Sequence, residues 1–288
     1  MSISKLLYLS LVTLIYYYIL NPYGWIAGIP VHYLIYVATI ILLVIVILNN
    51  ANKLFLKRNV WLMSLIILLS ISYLFGANTL IGLSKGNILS NIIDDTNGYL
   101  LIVLALVVLY LTKKGFSYNR IISHVINAST IVAVYYSLVF ISYLFLPGVF
   151  HILNDLLMFF NMGSALPYGE TVRVFLKAQI YCFLISVYTL IVFLRGFKWY
   201  KYLAISIVNF IPCLLSFTRS FWLAYAIVII VFIILRFIVK PLRVQRRGLF
   251  LVSGFVFIMV IFFANNPLYL DRLINTFSSD DKWNQIRL

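Results

Sequence analysis

Of the 288 residues, 64% are hydrophobic and 10% charged, and the mean hydropathy is +1.06. An ordinary soluble domain is about half apolar and about a quarter charged, so the polar coat of a water-soluble globule is missing and lipid is expected to replace water around most of the chain. The net charge of +15 would point to nucleic acid if it lay on one accessible face, but the Lys and Arg stand in short clusters between long apolar runs, a topological pattern that argues against a nucleic-acid partner.

A helix that crosses a bilayer needs about 20 mostly apolar residues. The runs that qualify are roughly 5–20, 32–49, 60–76, 98–112, 121–146, 174–194, 199–217, 220–239 and 249–264. The expected fold class is therefore all-α: a polytopic transmembrane bundle of about nine spans over residues 1–264, with an external tail at 265–288. The first run carries one Lys and no small-residue cleavage site, so it is expected to be a retained helix and not a signal peptide. The fourth run is short and the fifth long, which implies tilt or a shifted boundary. Segment 79–92 is weakly apolar, contains Lys85 and two glycines, and reads as interfacial or loop. Residues 147–173 read as the one sizeable loop before the tail, opened by Pro147-Gly148 and broken again at Gly163, Pro167 and Gly169. No internal repeat is visible.

Positively charged loops resist translocation. Placing the N-terminus inside puts Lys5, Lys53, Lys57, Arg58, Lys113, Lys114, Arg120, Arg195, Lys198, Lys201, Arg236, Lys240, Arg243, Arg246 and Arg247 in the cytoplasm. Lys85, Arg173, Lys177, Arg219, Arg272, Lys282 and Arg287 then lie outside with all seven acidic residues, and the outer face is neutral overall. Trp25, Trp61, Trp199, Trp222 and Trp283 sit near run ends and read as headgroup anchors. Cys182 and Cys213 fall inside apolar runs without a second ligand at metal spacing, so they read as small buried residues.

No Asp, Glu, Lys or Arg lies at the middle of a run, which weakens the case for an ion-coupled transporter. His32 and His124 near span ends and His151 in the outer loop read as polar interface residues. Cations on the outer face work against the topology rule and so need another reason. Arg173 and Lys177, four residues apart at the head of the sixth run, would share one helical face. Arg219 occupies the short turn before the eighth run, where Thr218 or Ser220 is placed to cap the helix and free N–H groups favour an anion. A guanidinium fork beside such a helix end suits a phosphate or diphosphate. Snorkelling of Arg219 and Arg173 to headgroups is the other reading that spacing leaves open.

The stretch Ser216-Phe217-Thr218-Arg219-Ser220-Phe221-Trp222-Leu223 resembles the Ser/Thr-Arg-(Gly/Ser) motif of the O-antigen ligase and polymerase superfamily of bacterial membrane proteins. Arg173 at the head of a helix after an outer loop is compatible. So is the tail from Asp271-Arg272-Leu273 through Asp280 to Arg287-Leu288, which is similar to the start of the family's large external loop. The similarity covers roughly residues 145–288. It implies a membrane glycosyltransferase acting on undecaprenyl-diphosphate-linked glycan at the outer face of the bacterial cytoplasmic membrane, as a polysaccharide polymerase or ligase. It also implies that Arg219, with Arg173, Lys177 and Arg287, faces the diphosphate leaving group, whose developing charge fixed cations stabilise without requiring a metal. No cofactor or metal is expected.

Family members continue through a longer external loop with a basic catalytic residue, often His, and then further spans. The expectation is therefore a C-terminally truncated member with no assigned catalytic base, which binds glycolipid without turning it over; were it active, His151 would be the first residue to test. The alternative from another class is a transporter or flippase for a lipid-linked oligosaccharide or small anion, and beyond that a non-catalytic membrane scaffold.

Overall fold

A computed structural model of the chain describes residues 2–21, 25–26, 29–49, 76, 80–86, 104–105, 107–160, 162–168, 171–176, 178–195, 199–216 and 219–238. The described residues are mostly helical. In chain order they form α1 (Ile3–Leu20), two-residue strands β1 (Trp25–Ile26) and β2 (Ile29–Pro30), α2 (Val31–Asn49), α3 (Tyr118–Phe145), α4 (Pro147–Phe159), β3 (Gly163–Tyr168), β4 (Thr171–Leu176), α5 (Gln179–Leu194), α6 (Trp199–Leu215) and α7 (Arg219–Ile238). Residues 107–113 are also helical. The expected spans at 60–76 and 249–264 and the tail at 265–288 lie outside the described residues, apart from residue 76.

Two compact units divide the chain: Met1–Tyr18 with Gly28–Val125, and Ile19–Ala27 with Ile126–Leu288. In the first, Leu7, Leu11, Leu14 and Tyr18 form the buried stripe of α1 at spacings of four, three and four, the interval that keeps residues on one helical face. Leu7 and Leu11 pack with Leu43, Val107, Tyr110, Leu111 and Ile121; Leu14 and Tyr18 pack with Tyr36. Several polar groups in this core are paired, while His124 Nδ1 is buried without a hydrogen-bond partner among the described residues. The Tyr8 hydroxyl lies 3.0 Å from His124 Nε2, the Tyr8 ring stacks on Phe116 at 4.9 Å, and Ser10 bonds Thr39.

The second unit is built on close helix contacts through small residues. Ala128, Ser129, Val132 and Ala133 on α3, Cys182, Ser186 and Thr189 on α5, and Ser206, Asn209 and Cys213 on α6 are all buried. Small side chains let backbones approach closely where lipid gives no hydrophobic reward for association. The polar members bond across helices. Ser186 Oγ donates to the Ser206 carbonyl at 2.8 Å and Ser206 Oγ to the Ser186 carbonyl at 2.9 Å. The Tyr225 hydroxyl on α7 lies 3.2 and 3.3 Å from the two serine hydroxyls. Ser129 Oγ donates to Asn209 Oδ1 at 2.7 Å, and Asn209 Nδ2 donates to Thr130 Oγ1 at 3.0 Å. Cys182 and Cys213 are buried free thiols, as expected.

The outward faces are apolar. On α3, Ile131, Val134, Leu138, Ile141 and Phe145 form one exposed stripe; on α7, Leu223, Ile227, Ile230 and Ile234 form another. Among the described residues, α1 with 18 residues and α3 with 28 are long and apolar enough to cross a membrane.

Three expectations change. The loop at 147–173 is structured, as α4 followed by an antiparallel hairpin in which Gly163 faces Leu176 and Tyr168 faces Thr171. Pro147 opens α4, where a missing N–H costs nothing. The sixth helix starts at Gln179 and not at 174, because Thr-Val-Arg-Val alternates: Val172 and Val174 are buried while Arg173 points to the other face of the strand. Trp222 is no headgroup anchor but is buried, 8% exposed. The side chains of Trp25, Trp61, Trp199 and Trp283 lie outside the described residues.

Replacing Asn209 with Leu keeps the volume and removes the bonds to α3. It should lower stability against thermal or detergent unfolding by about 1–2 kcal/mol, the range of interhelical hydrogen bonds in bilayers. Ser137→Ala, which removes only a bond to the Ala133 carbonyl of the same helix, should be nearly neutral.

Candidate functional site

The outer-cation hypothesis directs attention to the end of α6, because the motif around Arg219 begins there. An α-helix leaves its last four carbonyls without partners in its own ladder. In α6 the Ser216 N–H returns to the Pro212 carbonyl at 3.1 Å, and side chains from three other elements bond the same turn. Gln179 Nε2, on the first residue of α5, reaches the Pro212 carbonyl at 3.5 Å and also donates to Ser216 Oγ. Trp222 Nε1, on α7, donates to the Cys213 carbonyl at 2.9 Å. Arg173 Nε, on β4, donates to the Ser216 carbonyl at 2.8 Å. Ser216 Oγ in turn donates to the Cys213 carbonyl at 3.2 Å.

The local sequence explains each donor. The hairpin pins Arg173 by register, opposite Leu166, with Val172 and Val174 buried on either side of it. The half-buried guanidinium sits where the helix dipole is negative, an arrangement that favours a cation. Gln179, 3% exposed, ends the hairpin segment and starts an apolar helix, so its amide has no water to turn to. Trp222 lies one turn into α7 and faces back onto α6, and a buried indole N–H needs an acceptor.

The cations expected at the site are distributed as follows. Arg173 is brought onto the carbonyl of Ser216, three residues ahead of Arg219. The expected helical face shared by Arg173 and Lys177 does not form, since Arg173 belongs to a strand whose side chains alternate. Arg219 is the first residue of α7. Ser220, as the second, is inside the helix and is not its cap. Thr218, Lys177, Arg287 and the side chain of Arg219 lie outside the described residues. His151 is exposed on α4, and His124 is part of the first unit's core. Among the described residues no group of His, Cys, Asp and Glu is arranged to hold a metal ion.

Gln179 and Trp222 were missed as members of this constellation. The signal for Gln179 was an amide within a long apolar stretch, where a polar group is expensive unless paired; for Trp222 it was helical register, which turns its ring inward. Chemically, the turn combines an anchored guanidinium with the start of a helix, whose free N–H groups and dipole favour an anion. No protein-family model matches the chain, and no match was found among curated proteins or solved structures.

Trp222→Phe retains a ring and removes the N–H, leaving the Cys213 carbonyl short of a donor. It should cost about 1–2 kcal/mol of stability in detergent. Gln179→Leu deprives two acceptors and should cost more; thermal melts of the two variants beside wild type read the difference.

Proposed function

We propose that this chain is a multi-pass protein of the bacterial cytoplasmic membrane that binds undecaprenyl-diphosphate-linked glycan at the outer face, in the manner of an O-antigen polymerase or ligase. In this reading the chain has about nine spans with the N-terminus inside. Arg219 is the principal contact to the diphosphate, and Arg173, Lys177 and Arg287 supply further positive charge. A catalytic base is unassigned. The observation that carries the reading is the bond from Arg173 Nε to the Ser216 carbonyl: it holds a cation on the very turn that bears the Ser/Thr-Arg motif, although the two arginines are far apart in sequence. Breaking a glycosyl-diphosphate bond develops negative charge on the leaving group, and fixed donors aimed at that charge lower the barrier.

Binding of an undecaprenyl-diphosphate glycan to protein in nanodiscs tests the assignment. Losing one charge-assisted contact costs about 1.5–3 kcal/mol, or roughly 10- to 100-fold in Kd. Arg219→Ala should show that loss. Arg219→Lys should resemble it, because an ammonium lacks the planar fork. Arg246→Ala, on the cytoplasmic side, should leave affinity unchanged. Equal affinity of wild type and Arg219→Ala at equal thermal stability would overturn the site.

Orientation is tested separately. A cysteine at Ser164 should react with a membrane-impermeant maleimide applied outside intact cells, and one at Arg195 should not. The reverse pattern would exclude the outer placement of the arginine turn.

A further inference from the structure

The helix α4 has three faces, each of a different kind. Phe150, Leu153, Asn154 and Leu157 recur at one-turn spacing and look toward the protein: Phe150 and Leu157 are buried, the Tyr135 hydroxyl donates to the Leu153 carbonyl at 3.0 Å, and Asn154 Oδ1 accepts the Ala165 N–H at 2.8 Å. The Phe150 ring also meets Tyr143 of α3 edge-on at 5.2 Å. A second sector carries the exposed polar His151 and Asp155, with the exposed Met158 one turn on. The third carries Val149, Ile152, Leu156 and Phe159, at spacings of three, four and three, and among the described residues it is uncovered: Ile152 is 62% and Phe159 61% exposed.

An uncovered stripe on a helix already packed by its opposite side needs an occupant, and the surface of α3 identifies it. Ile131, Val134, Leu138, Ile141 and Phe145 are exposed along the length of α3, which is long and apolar enough to cross a membrane. That stripe does not stop at the end of the helix. Phe145, at 73% exposure, and Leu146 carry it through the single residue between the helices and into Val149 and Ile152 of α4. The two stripes adjoin in sequence, from a membrane-length helix to the short helix that follows. Protein, water and apolar phase in three sectors is the arrangement of a helix lying in the plane of a bilayer surface.

We propose that α4 is an in-plane membrane helix whose Val149-Ile152-Leu156-Phe159 stripe inserts among the acyl chains at the end of the α3 span, with His151 and Asp155 facing water. The packing of Phe150, Leu153, Asn154 and Leu157 fixes its roll. The Asn154 bond to Ala165 then ties the hairpin that carries Arg173 to the level of the bilayer surface. The occupant is lipid and not a second copy of the chain. The inference does not depend on the ligand proposed for the arginine turn.

The test uses full-length protein in vesicles of phosphatidylcholine and phosphatidylglycerol, with an environment-sensitive nitrobenzoxadiazole probe on single cysteines at positions 152, 159, 151 or 155. The native Cys182 and Cys213 are buried and unavailable to the label. All four positions are exposed, so labelling leaves the packed face intact. Probes at 152 and 159 should emit to the blue of those at 151 and 155, lose intensity when the acyl chains are brominated, and resist aqueous iodide. Probes at 151 and 155 should show the opposite sensitivities. Equal iodide quenching at 152 and 155 would overturn the proposal. So would a blue-shifted probe at 152 that is insensitive to brominated lipid and reverts on dilution of protein in the membrane, which would place a second copy on the stripe.

Discussion

A helix end in apolar surroundings must find donors for carbonyls that water would otherwise serve, and this requirement organises the described part of the second unit. The last turn of α6 meets it with a guanidinium, a carboxamide and an indole, drawn from a strand and two helices. Once those three donors are committed, the hairpin, the head of α5 and the head of α7 are no longer independent. The last turn of α6 is tied to all three because its carbonyls lack partners of their own.

The same requirement separates polar groups that shape the molecule from those available for chemistry. Ser186, Ser206 and Tyr225 satisfy one another, and Asn209 satisfies itself against α3. Their burial among Leu, Val and Phe makes them register marks that tell one helix face from another, much as a buried Asn does in a coiled coil. Arg173 belongs partly to this class. Its Nε donates to the backbone of α6, so part of its guanidinium serves to hold the end of that helix.

The helices were legible in the sequence because hydrophobic run length is a direct measure of what an apolar phase tolerates: α1, α2, α3, α6 and α7 lie within a few residues of the runs that announced them. The hairpin was hidden for the same reason. Val172, Val174 and Phe175 look like helix when only hydropathy is read, and the β-branched alternation that distinguishes a strand spans too few residues to stand out beside the sixteen-residue helix that follows. Arg173 stands out in the sequence as a cation beside an apolar run, yet its partner is a carbonyl 43 positions away, and nothing local encodes such a contact. Trp222 shows the converse: a place near a run end reads as headgroup depth, whereas helical register turns the ring inward.

Pro212 lies inside α6 and supplies no amide proton, so the helix lacks one rung of its ladder a turn before its end. Beyond that missing rung the Ser216 N–H still closes onto the Pro212 carbonyl, and the carbonyls of Pro212, Cys213 and Ser216 take further donors from α5, α7 and β4. A load on the hairpin would therefore reach the opening residues of α7 through this last turn, whose carbonyls Arg173 and Trp222 share.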